Sequence, residues 1–201
     1  SITGKGCHAA MPHLGVDPVV IAGQLISSLQ SIVGRTLSSL ESGVASITKM
    51  QGGEAYNVIP DSVTLSGTCR AFSPEVQELL ESRIRTQVHH ICEAYGANGK
   101  VDYRRMYPPT INVPEYAERC SKVAESLVGA ENVKHCMAPS MGAEDFAFML
   151  QEKPGAYIWV VKGVGEESAE LHNPHYDFND DILSLGASYW VELVHAQLKP
   201  E

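Results

Sequence analysis

Apolar residues along this chain follow two rhythms, a helical one and an alternating one, and the switches between them mark out its elements. Ile2 to Gly6 is short and extended in character. Asp17-Pro18 then opens a segment with apolar residues at Val19, Val20, Ile21, Leu25, Ile26, Leu29 and Val33. An aspartate that accepts the first free amides, followed by a proline whose φ is already helical, starts a helix, and the spacing carries it to about Arg35. Val44 to Met50 alternates loosely and meets Gly52-Gly53, which reads as a strand ending at a turn. Ser62 to Phe72 alternates again, with Val63, Leu65, Gly67 and Cys69 on one face and Thr64, Ser66, Thr68 and Arg70 on the other. Ser73-Pro74-Glu75 repeats the cap, proline and acid signature ahead of Val76, Leu79, Leu80, Ile84, Val88 and Ile91, so a second long helix is predicted to end near Gly96. Lys100 to Met106 reads as a last strand.

The resulting order, strand, helix, strand, strand, helix, strand, is the split βαβ pattern of a ferredoxin-like sandwich, and it accounts for residues 1 to about 108. Beyond the breaker Tyr107-Pro108-Pro109, helices are predicted at about 114–128, 143–152 and 181–198, around short strands near Val133 and at Ala156 to Val161. The fold class is therefore α/β of the mixed, α+β kind. Two short strands do not close a sheet, so the second part is expected to complete a domain begun upstream. No internal repeat or low-complexity segment interrupts either part.

Length and composition narrow the function classes. At 201 residues the chain has room for one domain or two modest ones. Its 44% hydrophobic and 19% charged residues are those of an ordinary globular protein, and no run approaches the roughly 18 apolar residues that span a bilayer, so no membrane role is expected. The opening Ser1-Ile2-Thr3-Gly4-Lys5-Gly6 has neither a signal core nor an initiator Met, so further sequence is expected ahead of it. With 15 basic against 24 acidic residues the net charge is −9, the wrong sign for nucleic acid, whose phosphates are bound through clustered Lys and Arg. The five cysteines are odd in number, scattered and without a CxxC pair, so neither a disulfide framework nor a zinc knuckle is indicated, and a reducing cytoplasm is the expected location.

Candidate chemistry lies in four segments. In Leu171-His172-Asn173-Pro174-His175-Tyr176-Asp177, a histidine before a proline-fixed bend suits a metal ligand, with nearby carboxylates to orient its second nitrogen; a satisfied surface loop is the plain alternative. His175 is the weaker candidate. In Gly6-Cys7-His8-Ala9-Ala10-Met11-Pro12-His13, glycine lets backbones approach, and the adjacent Cys7 and His8 cannot both face one ion from an extended segment. His8 is read as a substrate or oxyanion contact, against a loop histidine with no task. Asn57, in the long loop between two strands, offers an amide donor and a carbonyl acceptor, though asparagine is also a routine turn former. Arg70 is a suitable fork for a substrate carboxylate or simply an exposed strand arginine. Around Gly142, Ser140 to Phe146 opens a helix with acids in its first turn, which is ordinary dipole compensation, or else forms a backbone pocket wall. His89-His90 falls inside the second helix, facing solvent or a partner, and is assigned no chemistry.

Four stretches taken together, GKGCHAAMPHLGVDP (residues 4–18), GGEAYNVIPDSVTLSGTCRAF (52–72), MGAEDFAF (141–148) and LHNPHYDFNDDIL (171–183), closely resemble the hippurate hydrolase, N-acyl-amino-acid and auxin-conjugate amidohydrolases. The resemblance covers essentially the whole chain. It implies a zinc-exopeptidase-like α/β catalytic domain interrupted by a ferredoxin-like βαββαβ lid through which the enzyme forms a homodimer or a dimer-based tetramer. Residues 1–111 would be the lid, and residues 112–201 the returning second half of the catalytic domain. The resemblance further implies two divalent ions (zinc, manganese, cobalt or nickel), with His172 as the last ligand. His8 would reach the substrate carbonyl, often in the partner's site, Asn57 and Arg70 would hold an N-acyl amino acid, and Gly142 would wall the pocket. The family's earlier ligands and its general-base glutamate have no counterpart here, so the chain by itself is expected to be inactive. Cys7 stands where the family usually has glycine, and Val161-Lys162-Gly163-Val164 differs from its relatives. A non-catalytic dimerisation module is the alternative. An RNA-binding sandwich is disfavoured, since the strands lack stacking aromatics.

Overall fold

Both long helices begin where their capping signals lie. In the computed structural model, which describes residues 1–161, 169, 171 and 173–198, Asp17 Oδ1 accepts the amides of Val19 at 2.8 Å and Val20 at 3.4 Å, and α1 runs Pro18–Ser31. Ile32–Thr36 extends it as a wider turn, so the predicted end near Arg35 stands. Ser73 Oγ accepts from Val76 N–H at 3.3 Å and starts α2, Pro74–Ala94. Gly96, at φ 72°, closes α2: its amide reaches Glu93 O at 2.9 Å and that of Ala97 reaches Cys92 O at 2.8 Å. Such a left-handed residue returns the chain across the last turn and satisfies carbonyls that the helix itself leaves open.

The chain divides into two compact units, Ser1–Pro109 and Thr110–Glu201. In the first, β1 (Ile2–Thr3), β3 (Gly43–Gln51), β5 (Ser62–Ala71) and β6 (Asn98–Gly99) form an antiparallel sheet in the order β3-β5-β1-β6. A separate pair joins β2 (Cys7–His8) to β4 (Val58–Ile59). The alternation read along β5 holds, with Val63, Leu65 and Cys69 turned to the helices and Thr64, Ser66, Thr68 and Arg70 exposed. One apolar cluster gathers Ile2, Ile21, Ala22, Leu25, Val63, Val88 and Cys92 between sheet and helices, and a second gathers Leu29, Ile32, Val76 and Leu80. Burying aliphatic side chains at roughly 1.5–3 kcal/mol each is what holds the helix layer on the sheet.

The predicted strand from Lys100 to Met106 does not form. β6 is two residues long and lies earlier, at Asn98–Gly99, pairing Ile2 with Gly99 and Thr3 with Asn98. In that register Lys100 faces Ser1, whose carbonyl accepts its amide at 2.9 Å, and Val101 to Met106 pair with no strand among the described residues. Side chains anchor the segment instead. Arg85 Nη1 donates to Val101 O at 3.1 Å, while Arg105 donates to Glu81 Oε2 at 2.8 Å and also to Glu78.

In the second unit, α3 (Pro114–Val128), α4 (Phe146–Glu152) and α5 (Leu183–Gln197) are present. Cys120, Val123 and Tyr189 form its small buried cluster, flanked by Leu127, Ile158 and Leu193. The strands predicted near Val133 and at Ala156 to Val161 are absent. The latter stretch has no neighbouring strand among the described residues, and its Tyr157 is held by the Asn112 side chain, whose Nδ2 donates to Tyr157 O at 2.9 Å and whose Oδ1 accepts from Tyr157 N–H at 2.7 Å. α4 also begins three residues later than the predicted 143, so Glu144 and Asp145 precede the helix rather than occupying its first turn. Among the described residues, no helix is long and apolar enough to cross a membrane.

Candidate active site

The His8 segment is knitted into the first unit by close backbone approach. Gly4 N–H donates to Asp61 O at 2.9 Å, Gly6 N–H donates to Asp61 Oδ1 at 2.8 Å, and Lys5 and Val16 exchange both amide bonds at 2.9 Å. A Cβ on Gly6 would stand 2.9 Å from Ile59 O and 3.0 Å from Asp61 Oδ1, so only glycine lets this strand lie so close. One residue further on, β2 pairs Cys7 with Ile59 and His8 with Val58.

His8 itself is exposed and its ring is held locally. The amide of Ala10 donates to His8 Nδ1 at 3.1 Å, and that of Met11 donates to His8 O at 2.8 Å. A ring nitrogen that accepts a hydrogen bond cannot carry the proton, so in the neutral ring Nε2 is the donor. Asn57 is brought beside it: its carbonyl accepts from Ala9 N–H at 3.0 Å, and its side chain is exposed. Asn57 thus immediately precedes Val58, the residue that His8 pairs with.

Arg70 is not part of this group. It is exposed, pairs with Val44 across β3 and β5, and donates from Nη1 to Cys69 O at 2.9 Å. Ser62 and Val63, at the other end of β5, are the residues that face β1, and the seven steps of strand from Val63 to Arg70 span about 23 Å. His8, in the separate β2–β4 pair, lies beyond the Ser62 end of the sheet, whereas Arg70 lies at the other end.

In the second unit, Gly142 is exposed, and its amide donates to Ser140 Oγ at 3.2 Å. A Cβ there would meet only Ser140 Oγ, at 3.5 Å, so nothing in its surroundings demands glycine. The neighbouring Glu144 acts on the Tyr157 phenol, a pairing that the pattern of residues did not foretell. Burial first, then the charge of Glu144, pushes that phenol's pKa up. His172 lies outside the described residues. Just after it, Asn173 turns the chain, with Oδ1 accepting from His175 N–H and O accepting from Tyr176 N–H, both at 2.9 Å.

Among the described residues, three metal-ligating side chains come together in one place, His89, His90 and Glu93 on α2, and no such group forms around residues 171–181. The described residues therefore do not fit a two-metal centre by themselves. Sequence reading passed over His89 and His90; the signal available was the placement of an acid one helical turn beyond the pair.

The model of Peptidase family M20/M25/M40 matches residues 6–196. The chain is 37% identical to an IAA-amino acid hydrolase ILR1-like 2 of Arabidopsis thaliana over 98% of this chain and 46% of the relative. It is 35% identical to the hippurate hydrolase of Campylobacter jejuni (98% and 51%) and 35% identical to the N-acetylcysteine deacetylase of Bacillus subtilis (96% and 49%). The chain spans about half the length of the curated relatives it matches. Among solved structures it is similar to the Bacillus subtilis YXEP protein, a dinuclear metal binding peptidase from the M20 family, with a TM-score of 0.69 and 26% identity over 98% of this chain and 50% of that one. Aminopeptidase PepT from Bacillus cereus, at 22% identity and a TM-score of 0.76 over 98% and 50% of the two chains, shares the fold.

Proposed function

The chain belongs to Peptidase family M20/M25/M40, and from that premise we propose that it works within a longer metal-dependent amidohydrolase that cleaves the amide bond of N-acyl amino acids. Hippurate, acetylated amino acids and similar conjugates are the substrate class, in keeping with what the relatives are named for. Ser1–Pro109 is the ferredoxin-like lid, a reading supported by its sheet order and by the two helices packed on one face. Thr110–Glu201 is the second part of a zinc-exopeptidase-like catalytic domain. Two divalent ions, of zinc, manganese, cobalt or nickel, serve the complete enzyme, with His172 as one ligand. On its own the chain turns over no substrate, because one ligand does not hold two ions.

The observation that carries this reading is the state of His8. With Nδ1 occupied by the Ala10 amide, the neutral ring offers Nε2–H to the carbonyl oxygen of a scissile amide, and Asn57, in the loop just before β4, offers a second donor. A donor placed at an oxygen that gains charge in the transition state is worth roughly 3 kcal/mol. Arg70 is the fork for the substrate carboxylate, and Gly142 forms a wall of the pocket. Because His8 lies beyond one end of the sheet and Arg70 at the other, their joint use on one substrate requires two copies, which supports a homodimer through the first unit. β3 supports it too, being a nine-residue edge strand whose outer side pairs with no strand among the described residues. A cytoplasmic location accords with five free cysteines.

In the metal-loaded full-length polypeptide, His8→Ala is expected to lower kcat on hippurate or an N-acetyl amino acid by about 10²–10³ with metal content unchanged. Wild-type kinetics for this variant would refute the role of His8. Mixing His8→Ala with Arg70→Ala protomers is expected to restore part of the activity through hybrid sites, and no recovery on mixing would refute the two-copy arrangement.

A further inference from the structure

His89, His90 and Glu93 form a donor set outside everything assigned above. On an α-helix each residue advances by about 100°, so position 93 falls angularly between 89 and 90 and one turn beyond them. Glu93 Oε2 lies 3.9 Å from His89 Nε2 and 3.5 Å from His90 Nδ1, and the three donor atoms lie within 4.8 Å of one another. The two imidazoles stand with ring centroids 4.9 Å apart, tilted by 60°. Val88 and Cys92, on the other side of α2, are buried in the core, so the helix presents the trio to solvent without competing packing.

These separations have a chemical meaning. An ion bound tetrahedrally at about 2.0–2.2 Å holds its ligand atoms about 3.3–3.6 Å apart. The two edges from Glu93 are already close to that, and the edge between the imidazoles needs only a rotation of two exposed side chains. Two imidazole nitrogens and one carboxylate oxygen are a donor set for zinc and copper rather than for calcium or magnesium, which take oxygen ligands. We propose that His89, His90 and Glu93 bind one divalent transition-metal ion on the outer face of α2, copper more tightly than zinc, with water filling the remaining positions. The preference follows the general rise of affinity to copper among first-row ions. The site is independent of the amidohydrolase reading, since it needs nothing beyond one turn of this helix.

The test uses the chain as it stands, with Cu²⁺ and Zn²⁺ as probes. Titration of Cu²⁺ is expected to broaden the ring resonances of His89 and His90 before those of the remaining histidines, and the electron paramagnetic resonance spectrum is expected to report two equatorial nitrogens. His89→Ala/His90→Ala should abolish that spectrum and remove one equivalent of saturable Zn²⁺ binding in calorimetry, and Glu93→Gln should weaken it. All three positions are exposed, and far-UV circular dichroism checks that the variants keep their fold. If the first equivalent of Cu²⁺ leaves His89 and His90 unbroadened, or if the double variant binds with the wild-type stoichiometry and affinity, the trio is an ordinary pair of surface His–Glu contacts and the proposal fails.

Discussion

Replacing Gly6 with alanine tests the construction of the His8 ladder. The added Cβ would stand 2.9 Å from Ile59 O, which belongs to the β4 backbone, and 3.0 Å from Asp61 Oδ1, which a side-chain rotation could relieve. Moving the strand away to clear Ile59 also breaks the 2.8 Å bond from Gly6 N–H to Asp61. Overpacking of this kind costs about 1–3 kcal/mol. A solvent-exposed hydrogen bond to a carboxylate adds about 1 kcal/mol. Gly6→Ala is thus expected to destabilise the first unit by about 2–4 kcal/mol, a shift of about 1–2 M in the urea midpoint for a slope near 2 kcal/mol/M. Asp61→Ala alone removes the bond and costs about 1 kcal/mol. In the double variant that bond has already gone and one of the two close contacts is relieved, so the effects should fall short of additive by roughly 1 kcal/mol. Both tryptophans, Trp159 and Trp190, belong to the second unit, so fluorescence would follow the wrong body. Far-UV circular dichroism follows the unfolding, and amide exchange over residues 4–10 reports whether the ladder opens locally. Strict additivity, or unchanged exchange at Lys5 to His8, would show that Asp61 and Gly6 do not act as one contact.

Three further outcomes follow from the titrating groups. Burial first, and then the nearby Cys69, holds the Tyr103 phenol's pKa well above its usual value; burial first, and then Cys120, does the same for Tyr189. A raised pKa means that the unfolded chain loses these protons first, so their stabilisation is complete below about pH 10 and is lost as pH climbs towards the folded-state values; urea midpoints between pH 8 and 11 check this. Glu81 is pulled down by the guanidinium of Arg105 first and then that of Arg85, so its contribution is present above about pH 4.3 and is lost on acidification through the lower folded-state value. Glu81→Gln should flatten that acid limb at a cost of about 1 kcal/mol or less at neutral pH, and should raise amide exchange over residues 101–106. The Tyr189 hydroxyl is buried near Cys120 with no hydrogen-bond partner among the described residues, so Tyr189→Phe should change stability by less than about 1 kcal/mol whereas Tyr189→Ala should cost about 3–5 kcal/mol in the thermal or urea midpoint.

What was legible in the residues, and what was not, divides along a physical line. Signals carried by a few consecutive residues translated directly. Asp17-Pro18 and Ser73-Pro74 start α1 and α2 because the cap and the proline act on the very next amides, and Gly96 ends α2 because one left-handed residue suffices. The alternation of β5 likewise sorted its faces correctly, since side-chain direction needs no knowledge of a partner. Strand existence does need one. Val101 to Met106 and Ala156 to Val161 have the composition of strands, yet neither stretch has a neighbouring strand among the described residues.

The same distinction governs the site. Glycine before His8 hinted at a close approach, and the approach is there, at Ile59 and Asp61. The proton on Nε2 was not readable, because it depends on the Ala10 amide folding back onto Nδ1 in a turn that no local pattern announces. Nor was the separation of His8 from Arg70. Both sit in stretches that look alike in purpose, and only the register of β5 on β1 and β3 sets them far apart along the chain's first unit. A residue type and its neighbours state what a side chain can do, while strand register decides which side chains can do it together; for this chain that second fact is what the proposed two-copy arrangement rests on.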